Sequence, residues 1–169
     1  MTLPFTIRPA RTADVPAIKS LVAPLAEERI LIAKETVAYY EGLPEFRIAE
    51  SDGGEVLGCG ALHIIWEDLA EVRTLATSPA ARGHGVGHAL VEELLEEARA
   101  FGVSRVFCLT FEVDFFRRHG FEVMADQSAV DPQTYSELLR SHDEGIAEFL
   151  DLARVKPNTL GNTRMIRQL

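Results

Sequence analysis

Between residues 71 and 98 the chain reads EVRTLATSPAARGHGVGHALVEELLEEA. A strand-like run stops at Thr77-Ser78-Pro79, glycines follow at 83, 85 and 87, and an amphipathic helix starts at once. Val86, Leu90, Leu94 and Ala98 recur on one face of that helix, with Glu92, Glu93, Glu96 and Glu97 on the wet side. Glycine admits positive φ and close approach of another group to the backbone. A helix N-terminus adds unpaired N–H groups at the positive end of its dipole. Together they make an anion cradle at a strand-to-helix junction; a glycine-rich turn that caps a helix without any ligand uses the same residues. Two familiar phosphate motifs do not fit. None of the lysines, Lys19, Lys34 and Lys156, follows a glycine as a P-loop requires, and the third glycine of a dinucleotide fingerprint would fall on His88 or Leu90.

The flanking segments alternate in type. FTIRPA reads as a short strand, and TADVPAIKSLVAPLAEE as a helix with Thr12 at its N-cap and Val15, Ile18, Leu21, Val22 and Leu25 on one face. A second short helix is predicted over KETVAYYEG. EFRIAES, VLGCGALHII and AEVRTLAT, joined by the turns DGGE and WEDL, predict an antiparallel meander. SRVFCLTF is a nearly continuous apolar run, as suits a strand covered on both faces. VDFFRRHG predicts a short helix stopped by Gly120, FEVMA a strand, residues 131–151 two helical pieces broken near Ser141 to Gly145, and GNTRMIRQL a final edge strand. The sum is a mixed α/β (α+β) fold, its sheet mostly antiparallel and flanked by helices.

With 169 residues, 47% of them hydrophobic and 25% charged, the chain suits one globular domain over 1–169. Its formal charge of -9 repels phosphate backbones and argues against nucleic acid as a partner. No signal peptide or membrane-spanning run is predicted, which makes a cytoplasmic protein the expectation. Cys59 and Cys108 sit in apolar strand-like runs and are expected to be buried free thiols. His84 and His88 are spaced as a metal pair, but no third ligand is evident, so no metal is expected.

One acid stands out inside the meander. Glu71 lies in an otherwise apolar strand, and alternation puts Arg73 and Leu75 on its face. A Glu71–Arg73 ion pair on the sheet surface is one use for it; proton transfer is another. Glu67 and Asp68 in the adjoining turn are weaker candidates for the same chemistry.

Arg82-Gly83-His84-Gly85-Val86-Gly87, between a strand and a helix, resembles the Gln/Arg-x-x-Gly-x-Gly/Ala signature of the GNAT superfamily of acetyl-CoA-dependent N-acetyltransferases. The preceding meander, the apolar strand after the helix and FFRRHGF agree with that family over roughly residues 5 to 124. The resemblance implies that amides of Gly83, His84, Gly85, Val86, Gly87 and His88 hold the CoA pyrophosphate beside Arg82. It also implies that the backbone of Leu75, Ala76 and Thr77 pairs with the pantetheine arm. Acetyl-CoA is then the cosubstrate. AEV at 70–72 matches the family strand that carries a general-base glutamate, which makes Glu71 the candidate base, acting directly or through water. Where many members carry a tyrosine as acid for the departing thiolate, this chain has Phe116, which cannot donate a proton.

RILIAKE, GCGALHIIWEDLAEVRTLATSPAARGHGVGHAL, RVFCLTFEVDFFRRHGF and EFLDLARVKPNTLGNTRM look like the short stand-alone amino-acid N-acetyltransferases, the N-acetylglutamate synthases that open arginine biosynthesis. This implies L-glutamate or L-glutamine as acceptor. A carboxylate-bearing acceptor needs cations or oriented amides, and the candidates are Arg73, Lys34 in the helical segment that covers the acceptor in the family, and Asn162, Thr163 and Arg164 near the end. KPN and GN in the tail serve as turn residues in either case. Residues 125–160 exceed the usual family connection and are expected to be a helical insertion that closes the acceptor pocket or builds a homodimer face. Two other readings stay open: another acceptor, such as a protein N-terminus, a lysine or a polyamine, which would suit an acidic protein; and a non-catalytic acetyl-CoA or amino-acid sensor.

Overall fold

The computed structural model describes residues 3–125, 130–150 and 161–169. They form a mixed seven-stranded sheet. The meander is present: β1 (Phe5–Pro9), β2 (Phe46–Ser51), β3 (Val56–Trp66) and β4 (Leu69–Thr77) pair antiparallel in succession. Next, β5 (Arg105–Thr110) joins β4 in parallel. The C-terminal strand β7 (Thr163–Gln168) is not at an edge as expected; it lies between β5 and β6 (Glu122–Val123), giving the order β1-β2-β3-β4-β5-β7-β6. Burial explains the difference, because Met165 and Ile166 are neighbours in sequence, point to opposite faces and are both buried, whereas the two residues of β6 are exposed.

One face of the sheet carries α3 (Val86–Phe101) and α4 (Val113–Arg118). The predicted stripe of α3 is buried throughout, and Leu94 and Leu95 pack with Val72, Val106 and Cys108. Gly58 and Gly60 let the helix come close: a Cβ on either would stand 3.1 Å from a methyl of Leu90 or of Leu94. The opposite face is covered in two places. Over β2 to β4 lie α1 (Val15–Glu27) and α2 (Thr36–Glu41), with Ile18, Val22 and Tyr39 against Ile48, Cys59 and Ala76. Over β5 and β7 lie α5 (Pro132–Leu138) and α6 (Glu144–Phe149), whose Leu138, Ile146 and Phe149 pack on Leu69, Phe107 and Ile166. Strand β5 is therefore covered on both faces, as its apolar run predicts.

Three local expectations change. Thr12 opens a short 3-10 turn rather than capping α1, and Asp14 takes the capping position, its carboxylate accepting the Arg11 N–H at 2.7 Å and the Arg8 guanidinium. Lys34 falls in the loop before α2 and not inside it. Leu75 leaves the Glu71 face, because a bulge at Thr74, where φ is +56°, shifts the register between Cys59 and Ala61 and inverts the alternation. Leu75 packs under α3 as a result, while Glu71 and Arg73 face the gap between α2 and α6. The KPN turn lies outside the described residues. Both cysteines are buried free thiols, and burial pushes Cys59 up to about 12. No helix among the described residues is long and apolar enough to cross a membrane.

The packing of α3 on the sheet is the main support of this architecture. Leu94 is fully buried, so Leu94→Ala should lower the unfolding free energy by about 2–5 kcal/mol, read as an earlier urea midpoint at unchanged slope.

Candidate active site

Two strands part where the site begins. Pairing of β4 with β5 covers only Leu69↔Arg105, Ala70↔Val106 and Glu71↔Phe107, after which β5 continues against β7. From Val72 to Thr77 the β5-facing edge of β4 has no strand partner among the described residues, while its other edge stays paired with β3. An extended ligand arm can add there as a strand would. The open edge runs from Glu71 toward the loop that starts α3.

In that loop Gly83 (φ +77°) and Gly85 (φ +79°) are left-handed, and Gly85 is the N-cap of α3. No side chain caps the helix, so the first-turn amides of Val86, Gly87 and His88 are left for a ligand. Exposed Arg82 stands beside them. One member of the predicted cradle has other partners. The His84 amide donates to the Ala81 carbonyl at 3.2 Å and its Nδ1 accepts the Leu3 N–H at 3.2 Å, so His84 holds the loop together. Gly87 lies within the helix, where a Cβ would make ordinary van der Waals contact with Phe115 at 3.5 Å. The His88 ring stacks on Phe115 and meets His119 Nε2 at 2.7 Å, while His119 Nδ1 meets Glu92 at 2.6 Å. Desolvation, then His119 and Arg118, lower the His88 pKa. His84 and His88 thus point to different neighbours.

At the other end of the open edge is a cavity of about 440 Å³. The loop Ile30 to Glu35 and Ala38 of α2 form one wall, residues 142–145 and Glu148 the other, and Glu71, Arg73, Leu109 and Asn162 lie between them. Glu71 is 5% exposed. Its Oε2 accepts from Arg73 Nε at 3.1 Å and from Nη2, and Arg73 donates from Nη1 and Nη2 to Asp143 at 2.9 Å each. The Glu71–Arg73 pair therefore exists, but on a pocket wall and not on an open sheet surface. Both edges of the guanidinium are occupied by carboxylates of the protein itself. Burial pushes the Glu71 pKa up, Arg73 pulls it down, and the net direction is upward, with Asp143 adding to it. Asp143 goes the other way: against its burial, Arg73 holds it below the usual carboxylate range.

The remaining predicted residues divide. Lys34 reaches the pocket, and partial desolvation together with the Arg73 charge lowers its pKa. Asn162 is 6% exposed and lines the cavity, and its Oδ1 has no hydrogen-bond partner among the described residues. Thr163 pairs with Thr110 at the start of β7 and does not line the cavity, and Arg164 turns to α6, where Nη1 donates to the Glu148 carbonyl at 3.3 Å. Phe116 is a core ring packed edge-on against Phe115 and Phe121 at 5.2 Å each. Sequence reasoning passed over Asp143 and Gly145. Both sit in the predicted break between helical pieces, where an Asp and a Gly are ordinary turn residues. Only the fold shows that a Cβ at 145 would come within 2.2 Å of Glu71 Oε2.

Residues 18–121 match the Acetyltransferase (GNAT) family. An amino-acid acetyltransferase of Mycobacterium tuberculosis is 52% identical over 162 residues, 95% of this chain and 92% of the relative. One from Neisseria meningitidis is 34% identical over 139 residues, 81% of this chain but only 31% of that longer protein. Among solved structures, a Mycobacterium tuberculosis protein in complex with CoA superposes with a TM-score of 0.90 at 52% identity, over 97% of this chain and 99% of that one. The N-acetylglutamate synthase of Neisseria gonorrhoeae, complexed with coenzyme A and N-acetyl-glutamate, gives a TM-score of 0.76 at 27% identity, over 98% of this chain and 35% of that one. With a matching family signature over most of its length and the strand-parting, glycine-loop architecture described above, this chain belongs to the GNAT family of acetyltransferases.

Proposed function

We propose that this chain is a cytoplasmic enzyme that transfers an acetyl group from acetyl-CoA to the α-amine of a free amino acid, L-glutamate or L-glutamine, early in arginine biosynthesis. One juxtaposition carries the reading: an anion cradle and a buried carboxylate stand at the two ends of one open strand edge. The amino-acid acetyltransferases at 52% and 34% identity, and the fold shared with an N-acetylglutamate synthase, support the acceptor class.

Amides of Gly83, Gly85, Val86, Gly87 and His88 would hold the phosphates beside Arg82, and the backbone of Leu75, Ala76 and Thr77 would align the pantetheine. Bound acetyl-CoA supplies the acetyl thioester. The acceptor arrives as an ammonium, which has no lone pair, and Glu71 takes its proton directly or through a water. A carboxylate held low by an arginine is a poor base, and the burial that raises Glu71 offsets this. Transfer is direct. Among the described residues no cysteine or serine lines the cavity, and desolvation keeps both buried thiols protonated. Phe116 offers no proton to the departing thiolate, so that proton comes from water or the thiolate leaves unaided. Lys34 and Asn162 are the residues left to orient the amino acid, Arg73 being held by its two carboxylates.

A second reading has one observation in its favour. Glu35, Asp143, Glu144 and Glu148 line the cavity beside Glu71, an arrangement that suits a cationic acceptor such as a polyamine or a lysine side chain.

Four measurements test these statements. Glu71→Gln keeps the shape and removes the basicity, so turnover should fall about 10²–10⁴-fold while acetyl-CoA affinity holds. Because the Glu71 pKa is raised, the wild-type kcat/KM should decline on the acid side at a higher pH than an exposed glutamate would give, and this limb should vanish in the variant. Gly85→Val forces a branched side chain into positive φ at the helix start, and a strain of about 1–2 kcal/mol should weaken acetyl-CoA about tenfold by calorimetry. Finally, free amino acids, polyamines and basic peptides can be compared by thiol release with mass identification of products. Glutamate and glutamine should react fastest; a faster polyamine or lysine peptide would favour the second reading.

A further inference from the structure

Asp143 connects three parts of the molecule. Its Oδ1 accepts the Ile146 N–H at 3.1 Å and so caps α6, while its two oxygens take the Nη1–Nη2 edge of Arg73 at 2.9 Å each. A planar guanidinium gripped by a fork of two oxygens has its plane fixed. With that edge held, the remaining edge, Nε with Nη2, is directed at Glu71 Oε2. Gly145 completes the seating, because any side chain there would strike Glu71. The helix thus rests its backbone against the acid, with Asp143 as the pin. His63, which pairs with Glu71 across β3 and β4, stands 3.6 Å from Asp143 Oδ2 through Nε2 and 2.7 Å from Glu45 through Nδ1, so the pin is supported from the neighbouring strand as well.

We propose that Asp143 is a positioning residue for the base: it locks Arg73 between two carboxylates, so that Glu71 keeps a single orientation and shares one positive charge with a second anion. The inference rests on Glu71 being the base. Shared in this way, Arg73 steadies the carboxylate without taking away its affinity for a proton. A lone arginine partner would do both. The charged and titratable groups facing Glu71 come from every element around it. They are Arg73 on its own strand, His63 on β3, Lys34 and Glu35 from the loop before α2, the protonated thiol of Cys108 on β5, and His142, Asp143, Glu144 and Glu148 from the α6 side. Of the carboxylates in this group, Asp143 is the one whose ion pair with the same arginine is seen among the described residues.

The test is Asp143→Asn, which preserves volume and an oxygen able to cap α6 but removes the anion and the fork. Losing a negative neighbour lowers the Glu71 pKa. The acid limb of kcat/KM for the amino acid should therefore move about 1 pH unit downward, and kcat on the plateau should fall about tenfold through a weaker, less firmly aimed base. The KM for acetyl-CoA should not change. Asp143→Ser, which also caps, should act in the same direction. A carboxyl NMR titration of Glu71 in wild type and Asp143→Asn reads the same shift without turnover. An unmoved limb and an unmoved titration in folded variants would overturn the proposal. So would a lower KM for the amino acid at an unmoved limb, the behaviour of a carboxylate that merely occupies Arg73 until a substrate displaces it. The base assignment fails separately: Glu71→Gln would then keep the acid limb, whatever Asp143→Asn does to the Glu71 titration.

Discussion

Everything at the site follows from how early β4 lets go of β5. Three residue pairs join the two strands, and then β5 turns its hydrogen bonds to β7 while β4 runs on for six more residues. Backbone donors and acceptors on that edge must be satisfied by something other than the sheet. The bulge at Thr74 belongs to the same device, since an extra residue bends a strand and increases its twist. It also hands Leu75 to the core under α3 while Arg73 stays on the pocket side. The one parting therefore creates a place for an extended ligand arm, puts an acid at its apex and aims the far end at the glycine loop.

The acid at that apex is held by charges taken out of water, which is expensive unless they are paired and hydrogen-bonded. Arg73 satisfies two carboxylates with three of its nitrogens, from β4 and from the start of α6, so the cluster ties a strand to a helix far away in sequence. Such a cluster contributes little to net stability compared with apolar packing of the same volume. What it provides is placement: the wall of the pocket cannot shift without separating charges in a poorly solvated space.

Much of the fold was legible in the sequence because its signals are local. The α3 stripe, the meander with its turns and the two-faced apolar run of β5 all stand where periodicity puts them. The position of β7 was not, since the order of strands depends on which apolar residues meet across the sheet and not on the residues of the strand alone. At the site, Glu71 was visible as an acid among apolar neighbours, and Lys34 and Asn162 do line its cavity. Leu75 was misplaced because a one-residue bulge inverts alternation and leaves no mark in composition. Asp143 was invisible, since an aspartate before a short helix looks like a cap, and it is one; its second set of partners is 70 residues away.

The place of β7 bears on how such a chain reaches its folded state. Strand β6 has β7 as its pairing partner, and β7 also closes the outer edge of β5, so the far end of the sheet stays open until the last strand arrives. On a ribosome, where segments emerge in order, the meander with α3 has its partners long before β5 and β6 have theirs. The exposed edge of β5, carrying Val106, Phe107 and Cys108, is meanwhile an apolar template for wrong pairing. Closure depends on contacts of long sequence separation, Thr110 with Thr163 among them, the kind whose loop entropy slows folding. The pocket wall that includes Asn162 is thus completed last, and a chain stalled before that step would hold its glycine loop without a finished cavity.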